Sequence, residues 1–384
     1  MSTSKKIRVA VLYGGRSGEH EVSLASATNV IQNLDRELFD VVPIGIDKAG
    51  VWFLGEDVFK KELTDQQPLR LLNDEERMLF KPDSIGKQMQ PVRMTSLLPQ
   101  TKNAERIFDV IFPVIHGVLC EDGTVQGLLE LADVPYVGCG VLSSAIGMEK
   151  DISKRLVRDA GLNVVPYLVI NRAKWDRDPA YFCKEVSNTL SWPVFVKPAN
   201  TGSSVGVIKV KKAEELTDAV NNAFLYDTKV IVEQGIDARE IEVAVLESQQ
   251  EDNDPIVSVV GEVKPRHEFY SYTAKYLDEH GAELVIPAEI SESVSDEVRR
   301  IAKTIFTVLE CEGMARVDLF LERSTNKIYF NEVNTIPGFT QISMYPKLMD
   351  ASGISYSELL THLVMLAMRR HSRRTKLSRE YVAN

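Results

Sequence analysis

Two carboxylates and an amide near the C-terminal end of the chain are spaced so that they could hold a cation. Runs 314–322 and 327–335 both read as strands, and Arg323, Ser324, Thr325 and Asn326 between them make a turn-prone link. Side chains alternate along a strand, so Met314, Arg316, Asp318 and Phe320 point one way and Ala315, Val317, Leu319 and Leu321 the other. On the second strand Ile328, Phe330, Glu332 and Asn334 are expected to share a face. A hairpin centred on Thr325 sets Asp318 opposite Glu332 and Arg316 opposite Asn334. Facing carboxylates destabilise a sheet unless a cation lies between them. Two carboxylates and an amide oxygen form a hard donor set suited to Mg²⁺, which fills its remaining positions with water and phosphate oxygens. Arg316 offers a cation to a developing oxyanion, and the loop 334–338 follows with backbone N–H groups. The alternative is a solvated sheet face that carries charge by chance.

Two glycine-rich turns are the other candidates. Gly14, Gly15, Arg16, Ser17 and Gly18 follow an apolar strand and open a helix, but the spacing is not G-x-G-x-x-G. The first acid at a following strand end, Asp47, also comes too late for a ribose-binding acid, which argues against a dinucleotide site. Free N–H groups at such a turn still face a ligand. Glu19, expected in the first helical turn, either offers a carboxylate to an ammonium group or favours the helix dipole. The second turn, 197–206, lies between two strand-like runs and lacks GK[ST], so it is not a P-loop. H-R-D and D-F-G are absent as well, which excludes a protein kinase. A Gly/Ser hairpin preceded by Lys197 either closes over phosphates or is an ordinary turn. The segment 267–276 mixes aromatic and polar side chains, as a lid that excludes water and donates hydrogen bonds would, or as an insertion packed on the surface would.

These residues need rigid elements to hold them. Runs 7–13, 40–46 and 110–115 read as buried parallel strands, 23–34 as a helix and 134–137 as a shorter apolar run. Further on, 143–160 reads as one helix ending at Gly161, with strands at 164–170, 193–197, 205–210 and 230–233. Helices are expected at 213–224 and 295–309, and at 355–369, where Ser355 and Glu358 have capping-box spacing. The stretch between Gly50 and Asn103 has no functional reading. With 384 residues, two or three lobes are expected. A net charge of −10 excludes a sequence-independent nucleic-acid binder. The cysteines Cys120, Cys139, Cys183 and Cys311 form no CxxC pair, so neither a zinc site nor a disulfide framework is expected. No run approaches a membrane span and no signal peptide is evident, which points to the cytoplasm.

Taken in order, the segments resemble the D-alanine–D-alanine ligases of the ATP-grasp superfamily over nearly the whole chain. They are 14–23, His116-Gly117 with 121–123, 148–150, 196–198, 202–206, the lid 268–276, 316–318 and 331–338. The resemblance implies an α/β chain with α+β lobes: an N-terminal Rossmann-like parallel-sheet domain at 1–138, a central ATP-grasp lobe at 139–232, and a C-terminal lobe at 233–384 with a lid at 265–285. It implies formation of D-alanyl-D-alanine from two D-alanines and ATP through a D-alanyl phosphate, for peptidoglycan synthesis.

It also implies site roles. Lys150 and Lys197 contact ATP phosphates, covered by Ser203, Ser204 and Val205. Glu233, Gln234, Gly235 and Ile236 hold the adenine side and Glu240 the ribose, with Asn331 and Lys275 completing the nucleotide site. Asp318, Glu332 and Asn334 hold two Mg²⁺ ions, for which Mn²⁺ can substitute; K⁺ is a further candidate. Glu19 takes the ammonium of the first D-alanine and is linked through Ser203 to Tyr276. Arg316 and the Gly338 N–H take the oxyanion, His116 lies near the first substrate, and Lys275, Ser343 and Met344 serve the second. A homodimer is implied, with no nucleic-acid or membrane partner. Ser271 and Thr273 stand where acids are common in the family's lid, and 341–344 departs from the usual polar run. The alternatives are a ligase adding D-lactate or D-serine, and a catalytically silent ATP-binding scaffold.

Overall fold

An apolar run with no polar alternation must be covered on both faces, and 7–13 is. In the computed structural model, which describes residues 5–54, 90–91, 107–250, 253–265 and 282–378, it forms β1 (Ile7–Gly14). The helix α1 (His20–Asn33) leads on to β2 (Phe39–Ile46), β3 (Trp52–Leu54), β4 (Gln90–Pro91) and β5 (Val110–Pro113). Strand order is β4-β3-β2-β1-β5, with β1 parallel to both β2 and β5. A glycine is required at position 14, where a Cβ would sit 2.1 Å from the Ile46 carbonyl oxygen. The apolar run at 134–137 contributes one parallel bridge, from Tyr136 to Ile111, and no strand. Most of 50–103 lies outside the described residues.

After α2 (Thr124–Leu131), the single helix expected over 143–160 is two: α3 (Val141–Met148) and α4 (Lys150–Asp159). Glu149 takes an extended conformation (φ −86°, ψ 95°) and breaks the helical run, although no Gly or Pro marks the place. Lys150 therefore opens α4, where the helix dipole disfavours a cation, so another interaction must hold it there.

The second sheet contains β6 (Tyr167–Asn171), β7 (Val194–Pro198), β8 (Ile208–Val210) and β9 (Lys229–Gln234), in the order β6-β9-β7-β8. It is backed by α5 (Arg172–Arg177), α6 (Pro179–Thr189) and α7 (Leu216–Ala223), whose apolar sides share a core around Trp175, Val186 and Val220. The expected hairpin between 193 and 210 is present, with Val194 opposite Val210 and Val196 opposite Ile208.

The third sheet, β12-β11-β10-β13-β14, comprises β10 (Ala238–Leu246), β11 (Ile256–Pro265), β12 (Ala282–Val285), β13 (Met314–Glu322) and β14 (Ile328–Asn334). The helix α8 (Glu292–Val308) covers one face through Val298, Ile301 and Ile305. α9 (Met344–Ala351) and α10 (Tyr356–Arg374) follow, and their side chains join α1 and β1 in one core that includes Val11, Leu24, Tyr345 and Leu363. Each fully buried aliphatic side chain in these cores contributes about 1.5–3 kcal/mol of transfer free energy. The expected capping box is formed: the Ser355 side chain accepts from the Glu358 N–H and Glu358 returns the bond.

Register in the last hairpin is as the sequence predicts, with Asp318 opposite Glu332 and Arg316 opposite Asn334. The shared face expected for Ile328, Phe330, Glu332 and Asn334 is not observed. Leu319 pairs with Phe330, so Asn331 is an extra residue on β14, a β-bulge that reverses the alternation. Ile328 and Phe330 therefore enter the core under α8, while Glu332 and Asn334 stand with Asp318 and Arg316 on the other face.

Candidate active site

The β-bulge completes a row of acids across three strands. Glu242 on β10 is in register with Asp318 on β13, and Asp318 with Glu332 on β14. Arg316 is clamped into this row: its Nε and Nη2 each donate to an Asp318 carboxylate oxygen at 2.7 Å, and Nε lies 3.0 Å from Glu242 Oε2. Asn334 Nδ2 donates to Asp318 Oδ2 at 2.9 Å. A bidentate guanidinium–carboxylate pair is rigid, so Arg316 is pre-oriented. Three carboxylates thus gather around one guanidinium, and Lys150 approaches Glu332 from α4.

Glu332 of this row also lines a cleft of about 770 Å³, to which the second sheet and α4 contribute cations. Lys150, Lys197, Ser204, Glu233, Glu240 and Glu332 all line that cleft, as do Gln234, Gly235, Ile236 and Asn331. Phe195, Val207, Ile236 and Phe320 add apolar surface toward one end. Lys150 Nζ donates to the Thr201 carbonyl at 2.5 Å and lies 3.7 Å from Glu332 Oε2, which places it between the glycine loop and the acid row. In that loop Ser203 (φ 49°), Ser204 (φ 58°) and Gly206 (φ 72°) are left-handed. Non-glycine residues in that region cost about 1–3 kcal/mol each, strain that is typical of ligand-clamping turns. Gly206 is boxed in, since a Cβ there would lie 2.6 Å from the Tyr226 ring and 2.8 Å from Pro198.

Glu233, only 2% exposed, is held by two lysines: Lys197, and Lys154 at 2.6 Å. Burial alone would raise its pKa, but the two ammonium groups outweigh that and hold it down to about 2. Desolvation pushes the Lys154 ammonium below the usual lysine value, partly offset by Glu233. The same burial acts on Lys197, but the attraction of Glu233 wins and its pKa is raised.

A second cluster of buried, titratable side chains lies where α1 begins. Glu19 is the N-cap residue of α1, not part of its first turn, and its side chain makes no capping bond. Its carboxylate lies between two glycines: a Cβ would come within 3.3 Å of Glu19 Oε1 at Gly202 and within 3.6 Å at Gly117. Ligand-type atoms of Glu19, His116 and Glu121 lie within 4.8 Å of one another. His116 Nδ1 is 3.1 Å from Glu121 Oε1. Burial works against a charged His116, but Glu121 and then Glu19 more than compensate, and its pKa is raised above 6.5. Glu19, His116 and Glu121 thus form a buried charged cluster. Ser26 joins it to the loop after β14, lying 3.3 Å from His116 Nε2 and accepting from the Phe339 N–H at 3.3 Å. Beside that loop, Ser343 Oγ accepts from the Thr340 N–H at 2.9 Å, and a Cβ at Gly338 would lie 2.7 Å from it. Met344 is buried in the core, and Val205 donates its N–H to the Gly202 carbonyl. Lys275, Tyr276 and most of the expected lid lie outside the described residues.

Sequence reasoning missed four residues of this arrangement: Ser26, Glu121 as the partner of His116, Lys154 and Glu242. The pattern could have exposed two of them. Glu240 and Glu242 alternate with Ile241, Val243 and Val245, the period of a half-buried strand, and Lys154 stands one helical turn after Lys150.

Comparison with known proteins bears on both halves of this site. The family model described as the D-ala D-ala ligase N-terminus matches residues 8–139, and the one described as the D-ala D-ala ligase C-terminus matches residues 156–365. The chain is 52% identical to the D-alanine–D-alanine ligase A of Bradyrhizobium diazoefficiens, over 98% of this chain and 99% of that one. Among solved structures it is similar to the VanG D-Ala:D-Ser ligase from Enterococcus faecalis, with a TM-score of 0.78 and 37% identity over 94% of this chain and 100% of that one. It is also similar to the D-alanine–D-alanine ligase from Coxiella burnetii, with a TM-score of 0.77 and 35% identity over 97% of each chain.

Proposed function

The chain belongs to the D-alanine–D-alanine ligase family, and we propose that the cleft between its second and third sheets binds ATP while the Glu19–His116 cluster takes the first D-alanine. The protein is an ATP-dependent, ADP-forming ligase with the ATP-grasp fold, and it joins two D-alanines into a peptidoglycan precursor. One observation carries the assignment of the site: Glu332, in register with Asp318 and Glu242, lines the same cleft as Lys150, Lys197 and the left-handed glycine loop. A triphosphate accompanied by a divalent cation matches both sets of groups at once.

A carboxylate is a poor acyl donor. The γ-phosphate of ATP is therefore transferred first to the carboxylate of D-alanine, giving an acyl phosphate and ADP. The deprotonated amine of the second D-alanine then attacks the acyl carbon, and the C–O bond to phosphate breaks. Lys150 and Lys197 neutralise the phosphates while Ser203, Ser204 and Val205 cover them. The strand end 233–236 holds the adenine side, with Glu240 toward the ribose. The Glu233 carboxylate is engaged by Lys154 and Lys197, so the contact to the adenine amino group falls to backbone. Arg316 and the Gly338 N–H stabilise the tetrahedral oxyanion; Arg316 needs no reorganisation, because Asp318 already fixes its plane. Glu19 is assigned to the first substrate's ammonium, with His116 beside it and paired to Glu121. Ser343, Met344, Lys275 and Tyr276 are assigned to the second substrate and the lid.

Asp318, Glu332 and Asn334 offer only hard oxygen donors, which fits Mg²⁺ or Mn²⁺. Two such ions, when bound, would neutralise charge on the phosphates; K⁺ is a further candidate ion. The same proposal divides the chain at 138/139 and 232/233 and takes the protein to be a cytoplasmic homodimer. No helix among the described residues is long and apolar enough to cross a membrane.

ADP release with D-alanine alone, followed by addition of D-lactate or D-serine, tests the substrate assignment. Turnover and D-alanyl-D-alanine are expected without either competitor, and silence with D-alanine alone would refute the reading. Activity is expected to vanish on chelation and return with Mg²⁺ or Mn²⁺; full activity after chelation would remove the metal site.

A further inference from the structure

Lys154 is among the largest fully buried side chains of the protein, at 0% exposure. A buried ammonium is costly unless every donor is matched. Lys154 donates to the Asn331 carbonyl at 3.0 Å and the Phe330 carbonyl at 3.3 Å, and forms an ion pair with Glu233 Oε1 at 2.6 Å. Asn331 is the extra residue of the β14 bulge, next to Glu332. One ammonium on α4 thus ties the nucleotide end of β9 to the strand that carries the acid row.

Charge counting gives this contact a role in the reaction. Glu233 has two cationic partners, and they differ in reach. Lys197 lines the cleft and its side chain is 13% exposed, whereas Lys154 is sealed behind Glu233 with a side chain 1% exposed. A nucleotide's phosphates can draw Lys197 off Glu233; they cannot reach Lys154. If Glu233 had Lys197 alone, that transfer would strand a carboxylate in the interior. We propose that Lys154 is a positioning residue whose fixed ammonium keeps Glu233 neutralised, so that Lys197 is free to move to the phosphates of ATP. This rests on the reading that the cleft binds ATP with Lys197 at its phosphates. Lys154 itself touches neither substrate nor reacting atoms.

The test is a double-mutant cycle on the full chain, read by calorimetric binding of Mg·ADP and by steady-state kinetics. Lys154→Met is expected to raise the Kd of ADP and the KM for ATP by about 30-fold, the order expected when one partner of a buried charge pair is removed, with kcat changed less than about threefold. In a Glu233→Gln background no carboxylate needs holding, and the same substitution should change nucleotide affinity by less than about threefold. An unchanged KM in Lys154→Met, or an equal loss in both backgrounds, would overturn the proposal. If Lys154→Met does not fold, Lys154→Met/Glu233→Gln decides. Folding with the nucleotide affinity of Glu233→Gln supports the counter-ion role, and failure to fold beside a folded Glu233→Gln shows a packing role instead. Lys197→Met separates the underlying reading: unchanged nucleotide binding there would sink the ATP site, whatever Lys154 does.

Discussion

Two groups of side chains at the cleft handle charge in opposite ways. On the third sheet Glu242, Asp318 and Glu332 stand in a row against the single guanidinium of Arg316. On the second sheet and α4 one carboxylate, Glu233, is shared by two lysines. The first group gathers carboxylates around one guanidinium, with Lys150 3.7 Å from Glu332, and the second sets two ammonium groups on one carboxylate. On the proposed reading the first suits a metal ion, while the second can lend a lysine to phosphates. The contrast also tells which substitutions should cost catalysis and which should alter affinity or stability.

The largest effect is expected on the acid row. Glu332→Gln keeps the shape and removes one carboxylate, and dipeptide formation should fall by roughly 10³-fold in kcat as charge neutralisation at the phosphates is lost. Normal activity in that variant would break the comparison, because the row would then be ordinary surface charge. Arg316→Ala comes next, with a fall of about 10²-fold or more in kcat. That substitution also strips Asp318 and Glu242 of their shared guanidinium. The variant should therefore bind Mn²⁺ more tightly than the wild type by titration even as it turns over more slowly. A loss confined to KM would contradict the oxyanion role.

How much of this was readable beforehand follows from the same contrast. The acid row was legible because a strand announces itself by alternation; a midpoint at Thr325 gives the Asp318–Glu332 pairing, although the pairs nearer the turn run one residue out of that register until the bulge at Asn331 restores it. The bulge at Asn331 was not: neither Gly nor Pro marks it, and the buried Phe330 and the site residue Glu332 look alike in a period-two reading. The break at Glu149 was hidden for the same reason, and with it the position of Lys150 at the first turn of α4. Lys154 stands one helical turn after Lys150, a spacing that does not tell which groups its ammonium meets. Only the third dimension shows β9 and β14 meeting at its ammonium. The parallel N-terminal strands and the capped C-terminal helix were legible, because burial on both faces and a capping box are local signals.

The lysine cluster should show itself in acid. The pKa of Glu233 is held at about 2, against an ordinary 4.5, by Lys154 and Lys197 over the opposing effect of burial. A depressed carboxylate stabilises the fold fully above its unfolded value, and that stability is lost as pH falls from 4.5 toward 2. Urea titrations across this window should show the wild type losing on the order of 2 kcal/mol relative to Glu233→Gln. Parallel stability curves would mean that the carboxylate is not held by the two lysines.

The smallest effect, of opposite sign in pH, is expected in the N-terminal cluster. Glu121 raises His116 above 6.5 despite burial. A raised histidine contributes stability that is fully present below the unfolded value of 6.5 and is lost as pH rises through the folded value. His116→Gln should therefore cost most in mildly acidic buffer and progressively less in alkaline buffer. Thermal unfolding of the two proteins between pH 5.5 and 9, in steps of about half a unit, would reveal the convergence. An offset that stays constant over that range would mean that the imidazole is neutral and that its bond to Glu121 is not an ion pair.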